Sequence, residues 1–171
     1  MQFVKHAAAS GFTLLELVVV IATGGRHIKA GSAWDCVAGV CVGQDVSDRK
    51  LQFVTKPPQF NLGKSRERFS PFGPWLLDAK DLPNRDALNI SLTLDGETVQ
   101  STCTDDLIFT VPALIEYLSG IVELLPGDVI YTGTPGGVGA SRQPARFLAP
   151  GNVLVSTLEG HFSITNRCVA P

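Results

Sequence analysis

The sequence predicts a mixed fold dominated by β-strands, with two or three short helices. The 17 glycines and 11 prolines among 171 residues indicate frequent turns and therefore short strands. Several segments are β-branched runs or alternate between apolar and polar residues, which favours strands. With 44% hydrophobic and 18% charged residues, the chain is apolar enough to fold as one domain around a buried core.

The first half of the chain contains two predicted buried strands. A β-branched run at residues 16–22 predicts the first, and alternating small and apolar residues at 37–42 predict the second. Between them, residues 32–36 predict a short helical turn, capped by Ser32 and followed by Gly39.

A helix start and a long loop are predicted next. Residues 45–52 are typical of a helix start, with Asp45 or Ser47 placed to cap the free amide groups. Residues 53–72 contain a proline pair and are too polar for the core, so we expect a loop.

The second half begins with a hairpin and a helix. Residues 88–94 and 98–103 alternate around Asp95-Gly96, and both of these turn positions favour positive φ. Thr110 and Pro112 then precede apolar residues at helical spacing, which predicts a helix starting there.

The last part of the chain is predicted to be turns and strands. A turn at 126–128 leads into a strand at 129–132 and a glycine-rich loop at 133–139. Two final strands are predicted at 153–158 and 162–167.

Composition excludes several classes of partner. The net charge is −2 and the 14 basic residues are scattered, which argues against nucleic acid. The four cysteines lack C-x-x-C spacing, so a zinc or redox motif is not expected. We interpret the thiols as reduced and expect a cytoplasmic protein.

Residues 11–17 resemble the processing site of a type IV prepilin. The apolar run at 14–22 is much shorter than the roughly 20 residues that a membrane span needs. Only Lys5 and His6 precede it as a basic region, which is weak for an export signal. We therefore expect no membrane segment, and a pilin-like membrane-tethered protein is the weaker alternative.

Two carboxylates in apolar surroundings are the first candidates for chemistry. Glu16 lies beside a run of valines, and Asp45 follows a second apolar segment. Burying a carboxylate is costly unless it meets a cation or hydrogen-bond donors. Converging oxygens would suit Mg²⁺, Mn²⁺ or Ca²⁺. Alternatively, Asp45 is only a helix cap and Glu16 an exposed residue at a strand edge.

A lysine and a glycine-rich loop are further candidates. Lys64 follows a glycine and could bind an anionic substrate or stabilise an enolate, although it could equally be a solvated lysine. Residues 132–139 lack the G-K-[ST] ending of a P-loop. Their glycine amides and threonine hydroxyls can still bind a carboxylate.

Five segments together resemble the fumarylacetoacetate hydrolase family, in its acylpyruvate hydrolase and hydroxyheptadienedioate isomerase branch. They are residues 16–21, 34–39, 44–52, 62–65 and 126–135, and residues 72–75 and 106–109 fit as well. On this resemblance, residues 14–171 form the catalytic domain. Residues 1–13 are an atypical leader in place of the family's N-terminal region.

The resemblance implies a β-roll or sandwich with a few short helices, a homodimer and a divalent metal. Mg²⁺ is the preferred ion, with Mn²⁺ or Ca²⁺ as alternatives. The implied reaction is hydrolysis, isomerisation or decarboxylation at a C–C bond of a β-diketone or 2-oxo acid such as an acylpyruvate. The implied roles are metal ligands Glu16 and Asp45, catalytic residues Lys64 and Gln52, and substrate-binding residues Arg49, Gly133 and Thr134.

Two departures from the family pattern bear on activity. The family's strand usually reads Glu-x-Glu, but Leu14 stands where the first glutamate is expected. The family's N-terminal lid, with a histidine and a glutamate, cannot be aligned with the residues before Leu14. A truncated, catalytically impaired member that binds a 2-oxo acid or only dimerises is therefore the alternative.

Overall fold

In the computed structural model, strands dominate and form two main sheets, which confirms the predicted fold class. The structure describes residues 2–5, 11–12 and 14–170, the first two segments by their backbone alone. The proposed leader at 1–13 lies largely outside the described residues. Its described parts form two strands, β1 (Gln2–Lys5) and β2 (Gly11–Phe12).

A four-stranded antiparallel sheet forms the centre of the molecule, in the order β6, β4, β3, β9. The predicted first strand is β3 (Leu15–Ile21), and the predicted second strand is β4 (Val37–Gln44). Almost all residues of both strands are buried, so their sequences are continuous apolar runs rather than alternating ones. The outer strands are β6 (Phe72–Leu77) and β9 (Val129–Tyr131).

A five-stranded sheet has the order β1, β11, β10, β7, β8. Its strands are β7 (Asn89–Leu94), β8 (Glu97–Cys103), β10 (Val153–Leu158) and β11 (Phe162–Val169), with β1 alongside β11. Inward residues alternate with outward ones along β10 and β11. The predicted hairpin is confirmed, because Asp95 and Gly96 join β7 to β8 with φ of 52° and 86°.

The two sheets are connected by a buried polar network. The Gln44 side chain on β4 donates from Nε2 to Ser156 Oγ on β10 at 2.9 Å. The Asn166 amide on β11 donates to Gln44 Oε1, also at 2.9 Å. All three side chains are buried, and a satisfied buried network favours one alignment of the sheets.

The helices are short, and their caps differ in part from the prediction. Helix α2 (Val111–Ile121) begins as expected, with the Thr110 hydroxyl accepting from the Ala113 N–H at 3.4 Å. Helix α1 (Arg49–Gln52) is capped by Asp48, so the prediction of Asp45 or Ser47 as its cap was wrong. Ser47 and Asp48 instead form β5, which pairs with β2.

The described residues also contain four short 3-10 helices: Ala30–Cys36, Leu62–Lys64, Thr104–Asp106 and Gly139–Ser141. The first starts two residues before the predicted turn. Ser32 is therefore inside it, donating to the Lys29 carbonyl rather than capping the amides. Gly39, expected to end the turn, lies within β4.

The long loop at 53–72 is confirmed as mainly irregular, with one buried side chain, that of Phe69. The four cysteines are all free. In the part of the chain that the structure describes, we find no helix long and apolar enough to cross a membrane.

Candidate active site

Glu16 is the first residue of the candidate site. It lies on β3 opposite Gly43 of β4 and is only 4% exposed, so it is not an exposed edge residue. Its Oε2 accepts a hydrogen bond from the backbone N–H of Gly133 at 2.8 Å. This contact joins the central sheet to the glycine-rich loop that follows β9.

Asp45 lies immediately after β4, beside the start of β3. Its backbone N–H donates to the carbonyl oxygen of Leu14 at 2.8 Å, which holds the two strand ends together. Its carboxylate is also buried and accepts a hydrogen bond from the ammonium of Lys64. Lys64 is therefore an ion-pair partner rather than a merely solvated lysine, although 38% of its side chain is exposed.

The charges of this group influence one another. The pKa of Glu16 is raised to about 7, mainly by burial and in addition by the negative charge of Asp45, against the opposing effects of the Gly133 N–H and Lys64. Burial lowers the pKa of Arg49, which Asp45 partly offsets. Two buried carboxylates that repel each other form an environment in which a bound cation would be stabilised.

Arg49 and Gln52 lie together on α1. Arg49 Nη1 donates to Gln52 Oε1 at 2.8 Å, and Gln52 Nε2 donates to the Phe60 carbonyl at 3.3 Å. The Arg49 guanidinium also lies 5.9 Å from the ring centroids of Phe53 and Phe60. Gly63 allows this packing, because a Cβ there would come within 2.5 Å of Gln52 Cγ.

Gly133 and Thr134 approach the site through the backbone. Gly133 has a φ of 104°, which favours glycine and turns its N–H towards Glu16. The Thr134 hydroxyl oxygen accepts from the Gln100 side chain at 3.2 Å. The structure thus holds two hydrogen-bonded pairs, Glu16 with Gly133 and Asp45 with Lys64, near enough for the charges of the second pair to act on Glu16. Thr134 is adjacent to Gly133 in the chain.

A cavity of about 440 Å³ opens on another side of the same loop. It is lined by the loop residues Thr132, Gly133, Thr134, Pro135 and Gly136, and by residues of the 102–109 segment, among others. Glu16, Asp45 and Lys64 do not line it. The loop thus borders this cavity and also contacts Glu16 through the Gly133 N–H.

Two residues near the site were missed by sequence reasoning. Tyr131, whose hydroxyl donates to the Ser70 carbonyl at 2.6 Å, has a raised pKa because of burial, Asp45, Cys41 and Glu16. Its ring occupies space that Gly43 leaves free. Gln100 was missed as well, since it lies in an alternating strand where a polar residue is unremarkable. Gly43, within the apolar strand β4, is the signal that could have indicated a close approach there.

The donor set is compatible with a divalent cation. Among the residues that the structure describes, no group of three or more histidine, cysteine, aspartate or glutamate side chains converges. Mg²⁺ in proteins is commonly held by one or two carboxylates, with water and substrate oxygens completing its shell. The pair Glu16 and Asp45 fits that kind of site.

Comparison with known proteins extends over most of the chain. The family model for the fumarylacetoacetate (FAA) hydrolase C-terminal domain matches residues 14–169. Human mitochondrial oxaloacetate tautomerase FAHD2A is 41% identical over 155 residues, which are 91% of this chain and 49% of that protein. The chain thus spans about half the length of the curated relatives it matches.

Solved structures share the fold. A protein from Mycobacterium smegmatis described as HpcE is 50% identical, with a TM-score of 0.95 over 99% of this chain and 62% of that one. Fumarylpyruvate hydrolase from Pseudomonas aeruginosa, crystallised with Mn²⁺ and pyruvate, is 31% identical with a TM-score of 0.89, over 100% of this chain and 72% of that one.

Proposed function

This chain belongs to the fumarylacetoacetate hydrolase family, and from that membership we propose that it acts in a divalent-metal-dependent enzyme on 2-oxo acids or β-diketones. The proposed substrates are compounds of the acylpyruvate type. The reaction changes the C–C bonds next to the diketone, by hydrolysis in the first instance and by isomerisation or decarboxylation as alternatives.

The observation that carries this proposal is the pair of neighbouring buried carboxylates, Glu16 bonded to Gly133 and Asp45 bonded to Lys64. Two buried carboxylates lie beside a cation and beside a loop whose amides and hydroxyls can donate to an anion. A 2-oxo acid offers the complementary groups, since its carbonyl and carboxylate oxygens can reach a metal and hydrogen-bond donors together.

In this proposal Glu16 and Asp45 hold the metal. The bound ion would supply Lewis-acid stabilisation of charge that develops on the substrate's oxygens. Support comes from the related fumarylpyruvate hydrolase, whose structure contains Mn²⁺ and pyruvate. Carboxylate oxygens suit Mg²⁺ as well as Mn²⁺. The Mn²⁺ in the related structure is therefore compatible with Mg²⁺, which is the ion we propose for this protein.

The remaining residues act on the substrate. Gly133 and Thr134 would place the loop against its carboxylate, with the Thr134 hydroxyl as a donor, while the Gly133 N–H stays bonded to Glu16. Lys64, with a partly exposed ammonium already directed at Asp45, would stabilise the enolate oxygen. Arg49 and Gln52, which are hydrogen-bonded to each other on α1, would orient the substrate beside the metal.

One observation favours a second candidate, a member that binds a 2-oxo acid without turning it over. Leu14 is buried at 7% exposure directly before β3, where the family pattern has a glutamate. An apolar side chain there adds no charge to the two carboxylates. Weak metal binding without turnover would identify this second candidate.

Metal binding and turnover test both candidates. We expect the wild-type protein to bind Mn²⁺ or Mg²⁺ by calorimetry and to hydrolyse an acylpyruvate, and Asp45→Ala to abolish both. Asp35→Ala, at an exposed aspartate, is the matched control and should leave both unchanged. Equal metal affinity in wild type and Asp45→Ala would contradict the proposal.

A further inference from the structure

The Gln100 side chain connects the candidate site to β8. Gln100 is 3% exposed, and its Oε1 accepts from the backbone N–H of Leu15 at 2.9 Å. Leu15 immediately precedes Glu16 at the start of β3. One end of the Gln100 amide is therefore anchored to the strand that carries a candidate metal ligand.

The other end of the same amide holds the glycine-rich loop. Gln100 Nε2 donates to the Pro135 carbonyl at 3.0 Å and to the Gly136 carbonyl at 3.2 Å. The orientation of the amide follows from chemistry, because the Leu15 N–H can only donate and the two loop carbonyls can only accept. A side chain without both a donor and an acceptor cannot replace it.

Gln100 also affects the hydroxyl of Thr134. Its Nε2 lies 3.2 Å from Thr134 Oγ1, so one of its two N–H groups is shared between a loop carbonyl and this oxygen and occupies an acceptor position of the hydroxyl. Within the described part of the chain, the acceptor for the hydroxyl's own proton is the Pro135 carbonyl, at a long 3.5 Å. This proton can therefore turn to a carboxylate, which only accepts hydrogen bonds when ionised.

We propose that Gln100 is a positioning residue for substrate binding: it fixes residues 134–136 against β3 and presents the Thr134 hydroxyl as a donor. The inference rests on the proposed function, since it assumes that this loop binds the carboxylate of a 2-oxo acid. Gln100 itself does not touch the substrate. Its effect is on affinity for the organic acid and not on affinity for the metal.

The first test replaces Gln100 by a side chain of similar length that cannot form hydrogen bonds. In Gln100→Met, calorimetry should give unchanged affinity for Mn²⁺ alone. Affinity for pyruvate in the presence of Mn²⁺ should fall roughly 10- to 100-fold, as is usual for residues that orient ligand-binding groups. Ser119→Ala is the control, because the Ser119 hydroxyl accepts from the Ile28 N–H at 2.9 Å, in a partly buried bond between α2 and another segment. It should lower stability without changing pyruvate affinity.

A second variant tests the acceptor end and the donor end of the amide separately. It also provides a result if Gln100→Met does not fold. Gln100→Glu keeps an acceptor for the Leu15 N–H, but its carboxylate has no donor for the loop carbonyls. Pyruvate affinity relative to wild type should be low at neutral pH and should recover as the pH falls, because the protonated acid regains one donor. A purely structural role predicts no such recovery.

The outcomes distinguish the inference from the proposed function. Pyruvate affinity equal to wild type in a folded Gln100→Met or Gln100→Glu protein overturns the positioning role. If wild type binds no pyruvate with Mn²⁺, the proposed function fails. Hydrogen exchange then decides on Gln100: faster exchange at residues 133–137 in Gln100→Met supports its positioning role, and unchanged exchange overturns it.

Discussion

At the scale of single residues, Asp48 shows how a buried negative charge is stabilised in this fold. It is buried, its Oδ1 accepts from the Leu51 N–H at 3.1 Å, and its Oδ2 accepts from Arg66 Nε at 2.8 Å. Burial raises the pKa of Asp48, but these hydrogen bonds and the charge of Arg66 lower it below its ordinary value of 3.8. The stabilisation that results is present above the unfolded pKa and is lost as the pH falls through the folded one.

We therefore expect Arg66→Met to destabilise the protein at neutral pH by about 1–3 kcal/mol, the usual cost of leaving a buried acceptor without its partner. The difference from wild type should shrink below pH 4, as the carboxyl becomes protonated in both proteins. Urea unfolding across pH measures this. Lys29→Met, which removes an exposed pair with Glu116 at 3.5 Å, should change stability by less than about 1 kcal/mol. A pH-independent loss in Arg66→Met would contradict the role of Asp48.

Lys64 gives a second prediction at this scale. If its ammonium stabilises charge that develops on an enolate, Lys64→Met should lower kcat and kcat/KM together, with little effect on KM. Steady-state kinetics with an acylpyruvate measure the two constants. Lys80→Met, in a surface turn, is the control and should leave both unchanged. A rise in KM alone would instead make Lys64 an anchor for the bound substrate.

The sequence predicts only in part which carboxylate caps the helix and which belongs to the candidate site. The interpretation of Glu16 and Asp45 as unusual carboxylates agrees with their burial, whereas the helix cap is Asp48 and not Asp45. Local sequence cannot separate these aspartates, because both precede the same short helix. The difference comes from Lys64 and Arg66, which contact Asp45 and Asp48 respectively from a later loop.

At the scale of elements, the packing of the Tyr131 ring of β9 across β3 against β4 depends on Gly43. A Cβ there would lie 2.5 Å from Val18 Cγ2 and 2.8 Å from Tyr131 Cε1. Gly43→Ala should therefore destabilise the protein by about 1–3 kcal/mol, as overpacking of a core usually does. Gly120→Ala is the matched control: nothing lies within 4 Å of its Cβ, and alanine in helix α2 should stabilise by about 0.4–1 kcal/mol. Thermal unfolding of both variants checks this, and equal stability in Gly43→Ala and wild type would be evidence against the packing of Tyr131.

Elements with strong local signals were predictable, and those that depend on distant partners were not. The run of β3, the Asp95-Gly96 hairpin and the Thr110 cap each follow from neighbouring residues. Strand β6 is not predicted from the sequence, and only its first residue, Phe72, falls within the predicted loop; its exposed apolar residues show no clear alternation. Its strand structure comes from pairing with β4, which no local pattern indicates.

At the scale of the whole molecule, the site is assembled from residues that are far apart in sequence. Glu16 and Gly133 are 117 positions apart, and Leu15 and Gln100 are 85 apart. The family resemblance indicated the first pair, whereas the role of Gln100 required the fold. The homodimer and the assignment of each site residue stay predictions.

The last prediction joins metal binding to the stability of the whole molecule and concerns Leu14. It is buried just before β3, two positions from Glu16, and its carbonyl accepts the backbone N–H of Asp45. Because side chains two apart along a strand share a face, Leu14→Glu should add a third carboxylate to the site. Without metal, this variant should be less stable than wild type by about 1–3 kcal/mol, since an unpaired polar group is buried.

Mg²⁺ should reverse that loss, because an ion that binds only the native state stabilises it by about 2.7 kcal/mol at 100 times its dissociation constant. Mutating a residue that hydrogen-bonds to a metal ligand typically lowers metal affinity about 10- to 100-fold. A carboxylate that contacts the ion directly should raise the affinity by at least that order of magnitude. Leu14→Gln is the matched control, since it loses the same apolar burial without adding charge. Melting temperatures during Mg²⁺ titration decide the matter. Equal metal-induced shifts in the melting temperatures of Leu14→Glu and Leu14→Gln would mean that position 14 does not face the ion. The metal would then be bound by Glu16 and Asp45 without a ligand from position 14.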